Sequence, residues 1–111
     1  MPDRIEETPE LRRLRKRIDA LDRRLVELLN ERAALAREAG RAKTAAGRRA
    51  IRDAEREREV LLRVSMANTG PLPQADLVAL YRRLFVATRA LETRDRRSGS
   101  GTSPSEPSDG G

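Results

Sequence analysis

Between Pro9 and Pro71 the chain has no proline, and within that gap apolar residues recur at helical spacing. Leu11, Leu14, Ile18, Leu21, Leu25 and Leu28 step by alternate threes and fours, the heptad-like stripe of a helix packed along its whole length. The stripe continues through Leu29, Ala36 and Ala39 to Gly40, so the spacing predicts one helix from about residue 9 to about residue 43. At ~1.5 Å per residue, such a helix is on the order of 50 Å long. A chain of 111 residues has room for one domain, and a single copy has too little other apolar material to cover so long a helix.

The rest of the chain reads as two further helices. Residues 44–50 form a loop that carries Gly47, and a second helix is expected from about residue 51 to residue 68. Gly70, Pro71 and Pro73 stop it. A third helix is expected from about residue 74 to residue 95, with Leu77, Leu80, Tyr81, Leu84, Ala87, Thr88 and Leu91 on one face. No strand alternation and no internal repeat is present. The expected division is a loose leader over 1–9, a helical domain over 10–97 and a disordered Ser/Gly/Pro-rich tail over 98–111. The fold class is therefore all-α, three helices with a long first one, in an intertwined helical oligomer whose simplest form is a homodimer.

Composition removes whole classes of chemistry. The sequence has no His and no Cys, which excludes a thiol nucleophile, a disulfide, an imidazole base and any Cys/His metal site. No metal and no cofactor is expected. Tyr81 and Phe85 are the only aromatics, too few for stacking on bases to be a main binding mode. No apolar run approaches the roughly 18 residues of a membrane span, and Met1 opens onto polar residues, so the expectation is a soluble cytoplasmic protein. The formal charge is +6, and residues 1–97 hold all 24 bases against 16 acids. A basic body favours anionic partners, although arginine-biased codon usage accounts equally well for many of its surface arginines.

The sharper signal is charge inside the apolar stripes. Arg32 lies four residues after Leu28 and four before Ala36, and Lys43 lies four after Ala39. At about 100° per residue the two are only ~20° apart around the helix axis, three turns from one another. Arg15 also interrupts the stripe, but points ~100° away from Arg32, toward a different site such as that of a partner chain. On the second helix Asp53, Arg56, Glu57 and Val60 share one face, and on the third Thr88 and Glu92 continue the Leu80/Leu84 line. Any one of these could sit at a helix edge, snorkelling or paired. The same anomaly on all three helices describes a cationic cavity with a few acids, suited to a small ligand with more than one carboxylate.

Four segments in order, LRKRIDALDRRLVELLNER (14–32), GRAK (40–43), IRDAERERE (51–59) and LYRRLFVATRALE (80–92), resemble the all-helical (AroQ-class) chorismate mutases over roughly residues 10–93. The resemblance implies a dimer of three-helix chains whose long first helices span both active sites. Arg15 matches the arginine that enters the neighbouring subunit's site, and Arg32 the one that grips a substrate carboxylate within its own subunit. Lys43 matches the lysine on a carboxylate and the ether oxygen. Asp53, through its backbone, and Glu57 match positions that hold the ring hydroxyl, and Arg56 matches a further arginine near the carboxylates. Thr88 falls where a hydroxyl faces the ring carboxylate, and Glu92 where Gln or Glu stands beside the ether oxygen.

The implied reaction is chorismate to prephenate, a Claisen rearrangement, with Lys43, Glu92 and Arg32 as the catalytic residues. This isomerisation needs no nucleophile, metal or proton-transfer group, which suits a chain without His or Cys. A carboxylate donates no hydrogen bond, so Glu92 must be protonated to assist, and activity should fall as pH rises. The connection from Lys43 to Asp53 is slightly long for the family block, and the tail has no counterpart. Acids at 53 and 57 suit 4-amino-4-deoxychorismate as well as chorismate. Isochorismate-pyruvate lyase ranks lower, because its connection lacks the RDAERE-like block. A basic helical dimer that binds nucleic acid, or an adaptor, would explain the charge but not the cations in the stripe. An activating enzyme of the aromatic pathway is a possible partner.

Overall fold

A computed structural model describes residues 7–47 and 53–101, with side chains through Ser98. Three helices follow one another, α1 over Pro9–Ala45, α2 over Ala54–Ala67 and α3 over Gln74–Gly101, with no strand among the described residues. The all-α reading with an overlong first helix is what the chain adopts. It divides into two compact units, Met1–Ala34 and Leu35–Gly111.

In the first unit, α1 starts where the chain's own chemistry allows. The Thr8 hydroxyl accepts from the Leu11 amide at 3.1 Å and the Thr8 carbonyl from the Arg12 amide at 3.0 Å, so Thr8 is the N-cap. Pro9, with no amide hydrogen to satisfy, takes the first helical position. The stripe residues Leu14, Ile18, Leu21, Leu25 and Leu28 remain between 43% and 63% exposed in the single chain.

In the second unit α1 ends at Ala45, one half-turn beyond the expected Lys43. The Ala46 amide donates to the Ala42 carbonyl, and the Gly47 amide to the Thr44 carbonyl, both at 3.0 Å. Gly47 sits at φ +85°, the left-handed position after a helix that glycine takes without steric cost. The expected start of the second helix at Ile51, and Arg48 and Arg49 of its preceding loop, lie outside the described residues. α2 begins at Ala54 because Asp53 caps it, its carboxylate accepting from the Arg56 amide at 3.1 Å. Glu55 and Glu57 in the first turn suit the positive end of the helix dipole.

The turn from α2 to α3 is tied by amide side chains. Asn68 donates to the Leu72 carbonyl at 3.0 Å and to Gln74 Oε1 at 2.8 Å, and it accepts from the Gly70 amide. Gln74 in turn donates to the Ser65 carbonyl at 3.1 Å, satisfying an acceptor at the end of α2. α2 packs on α3 along Glu57, Val60, Leu61, Val64 and Ser65, the residues of α2 that are half-buried. The core of this unit centres on Phe85, 7% exposed, with Tyr81 edge-on to it, ring centroids 6.2 Å apart. Phe85 was not among the residues expected on the packed face. α3 also runs to Gly101 rather than ending near Asp95. No proline interrupts it before Pro104, and Asp95 and Arg96 contact α1 through Arg37 and Thr44. Residues 102–111 of the expected tail lie outside the described residues. No helix among the described residues is long and apolar enough to cross a membrane.

Candidate active site

One stripe of α3 is buried or half-buried throughout: Val78, Tyr81, Phe85, Thr88, Glu92 and Asp95, again stepping by threes and fours. It is apolar for its first three members and polar for its last three. Thr88 and Glu92 thus lie on the Leu80/Leu84 line, as the spacing suggests, and also on this buried stripe; Leu84 is half-buried, while Leu80, at the edge, is 59% exposed. Thr88 is 8% exposed, and its hydroxyl donates to the Leu84 carbonyl one turn back at 2.9 Å, so its single proton is satisfied within α3.

Glu92 is half-buried against the last turns of α1. A Cβ built on Gly40 would lie 3.3 Å from Glu92 Cγ, so the glycine is what lets this side chain lie against the helix. Burial raises the Glu92 carboxyl above the ordinary range, because desolvation penalises the anion. The charges of Lys43, Arg96 and Arg89 oppose that rise, Asp95 adds to it, and burial prevails. Lys43 itself is half-buried at the end of α1.

Around this centre, further charged side chains are held by pairing. Arg89, one residue after Thr88, donates to Glu57 of α2 in an ion pair whose partners are 27% and 16% exposed. Arg37 of α1 grips Asp95 with two parallel bonds, Nε to Oδ2 and Nη2 to Oδ1, each 2.8 Å. This pairing raises the Arg37 guanidinium and lowers the Asp95 carboxyl from their usual values. Arg96 donates to the Thr44 hydroxyl at 3.4 Å, and that hydroxyl donates to the Gly40 carbonyl at 3.1 Å.

A family model for chorismate mutase type II matches residues 14–93. The chain belongs to the chorismate mutase type II family. It is 38% identical over 92 residues to the bifunctional chorismate mutase/prephenate dehydratase of Stutzerimonas stutzeri, covering 79% of this chain and 25% of the relative. The bifunctional enzyme of the same name from Aquifex aeolicus is 40% identical over 89 residues, 77% of this chain and 24% of the relative. The chain thus spans about a quarter of the length of the curated relatives it matches. Among solved structures, chorismate mutase (Form II) from Thermus thermophilus superposes with a TM-score of 0.72 at 35% identity, covering 77% of this chain and 96% of that one.

Of the eight positions singled out in sequence, the second unit of this chorismate mutase domain brings Lys43, Glu57, Thr88 and Glu92 into or beside one polar cluster. Asp53 is the N-cap of α2. Arg56 stands apart, exposed and 3.4 Å from Glu59 on its own helix, although it was expected to share a face with Glu57. In the first unit Arg32 is half-buried on α1, and Arg15 is paired with Glu7. Sequence reasoning missed Arg37, Arg89, Asp95 and Arg96. Arg89 lies one residue after Thr88 and three before Glu92, but an arginine among twenty-two carries no mark of its own.

Proposed function

We propose that this chain itself converts chorismate to prephenate, by holding the substrate in a compact conformer and stabilising the ether oxygen as its C–O bond breaks. The observation that carries the reading is Glu92, a half-buried carboxyl with a raised pKa set against Gly40 and within the field of Lys43, in a chain of this family. As the C–O bond breaks, negative charge gathers on the oxygen. A protonated Glu92 and the Lys43 ammonium are the donors for that charge, and a donor aimed where charge develops is worth on the order of 10²–10³ in rate. Arg32, and Arg15 from a second copy, serve as the partners of the two carboxylates, which orders the dianion before reaction. Glu57 and the Asp53 backbone hold the ring hydroxyl, Thr88 lies by the ring carboxylate, and Arg56 lends positive potential. No step calls for a metal or cofactor.

A homodimer is part of the proposal. Its support is the row of α1 leucines left more than two-fifths exposed in the single chain, an apolar stripe of a kind that helices bury against a partner. The cytoplasm is the proposed location. The test is loss of chorismate absorbance by purified protein followed between pH 5 and 8, with Arg32→Ala alongside. Turnover in the wild type that the variant loses supports the reading, and no turnover, alone or with a pathway enzyme added, overturns it.

A further inference from the structure

We propose that Arg89 makes this site selective for a substrate with a hydroxyl, and against one with an amine, at the ring position that Glu57 serves. The inference rests on the functional reading above and deepens it, since acids at positions 53 and 57 alone suit chorismate and 4-amino-4-deoxychorismate equally. The structural fact is the Arg89–Glu57 ion pair, which joins α3 to α2 with both side chains largely buried.

The pair changes what Glu57 offers. A lone carboxylate attracts an ammonium strongly and accepts a hydrogen bond from a hydroxyl more weakly. A carboxylate has about four acceptor sites, so one that holds an arginine still accepts from a hydroxyl. Its charge, however, is already cancelled, and the guanidinium beside it repels any further cation. An alkylamine is protonated at neutral pH, much as lysine is, so the amino substrate would bring its positive charge next to Arg89. The hydroxyl of chorismate carries no such charge. Arg89 also lies within the field of Glu92, so neither acid facing it is left as an uncompensated anion for an ammonium. Because Arg89 reaches the substrate only through Glu57, it is a positioning and selectivity residue.

Steady-state kinetics with both compounds at pH 7 and low salt tests this, on wild type, Arg89→Leu, Arg89→Lys and Glu57→Gln. The wild type should favour chorismate in kcat/KM. Arg89→Leu should shift the ratio toward the amino substrate by about tenfold or more, mostly through KM, as expected for removing a like charge a few ångströms away. Arg89→Lys, which keeps the charge, should hold the ratio near that of the wild type. Glu57→Gln leaves the guanidinium without its anion and should push the ratio further against the amine, a readout that survives if Arg89→Leu fails to fold. A wild type that prefers the amino compound, or a ratio unmoved in Arg89→Leu or in Glu57→Gln, overturns the inference while chorismate turnover stands. A wild type that consumes neither compound overturns the functional reading and this inference with it.

Discussion

Gly40 and Glu92 meet where α1 passes α3, with the place of a glycine Cβ 3.3 Å from Glu92 Cγ and 3.5 Å from Oε2. Any larger residue at 40 must push the carboxyl aside. Gly40→Ala gains about 1 kcal/mol of helix propensity, and the displaced side chain is flexible, so the fold tolerates the change. The expected result is a melting temperature equal to or above that of the wild type, together with a lowered kcat. Thermal melts and chorismate turnover on one preparation check it, and an unchanged kcat would remove Glu92 from the reaction.

The raised carboxyl of Glu92 fixes a pH dependence of definite sign. A protonated acid donates and an anion does not, so activity should decline as pH rises through the elevated pKa. Glu92→Gln keeps a donor at every pH, and its profile should be flatter than that of the wild type on the alkaline side. Stability follows the same linkage. With its folded pKa above the unfolded value, Glu92 binds its proton more tightly in the native state, so its contribution is lost as pH rises between the two values. Denaturant melts across that range should show a smaller alkaline loss for Glu92→Gln.

The exposed α1 stripe gives a test of assembly. Leu21 is 63% exposed in the single chain, so in a monomer Leu21→Glu is a surface change worth a few tenths of a kcal/mol at most. If α1 is buried against a second copy, the substitution places an unpaired charge in an apolar seam. Sedimentation should then show a dimer for the wild type and dissociation for the variant, with turnover lost in parallel because Arg15 no longer reaches its neighbour.

The helices and several site positions were legible because both depend on local spacing. The proline-free stripe from Leu11 to Leu28 announced α1, and Thr88 and Glu92 stood out as polar residues within an apolar row. Where the buried stripe centres was not legible. Leu80/Leu84 and Tyr81/Phe85 lie on neighbouring lines of one helix, and only burial in the folded chain singles out Phe85 as the centre. Pairings such as Arg89–Glu57 and Arg37–Asp95 join residues 32 and 58 positions apart, and no periodicity within one helix reports on them. The end of α3 was illegible for the same reason, since Asp95 and Arg96 join it to α1 by long-range contacts.

The Arg37–Asp95 fork ties α1 to α3 one turn from Glu92. Its geometry is good, with two bonds of 2.8 Å, but the guanidinium is 44% exposed, and solvent screening weakens such pairs. A double-mutant cycle of Arg37→Ala and Asp95→Ala should return a small favourable coupling that shrinks as salt rises. The lowered Asp95 carboxyl adds the sign of a pH effect: the coupling is present above the ordinary carboxylate pKa and is lost as pH falls through the depressed value.

Asp53 has two separable jobs. Its carboxylate caps α2 by accepting from the Arg56 amide at 3.1 Å, while its proposed part in substrate binding belongs to the backbone. Asp53→Asn keeps an acceptor of the same shape, and asparagine caps helices as well as aspartate does, whereas Asp53→Ala forfeits about 1 kcal/mol. Urea melts should therefore leave the asparagine variant close to wild type and destabilise the alanine variant by about that amount. If the backbone is what meets the substrate, KM in Asp53→Asn should stay near the wild-type value. A large rise in KM there, with stability intact, would show that the side-chain charge acts on the ligand directly.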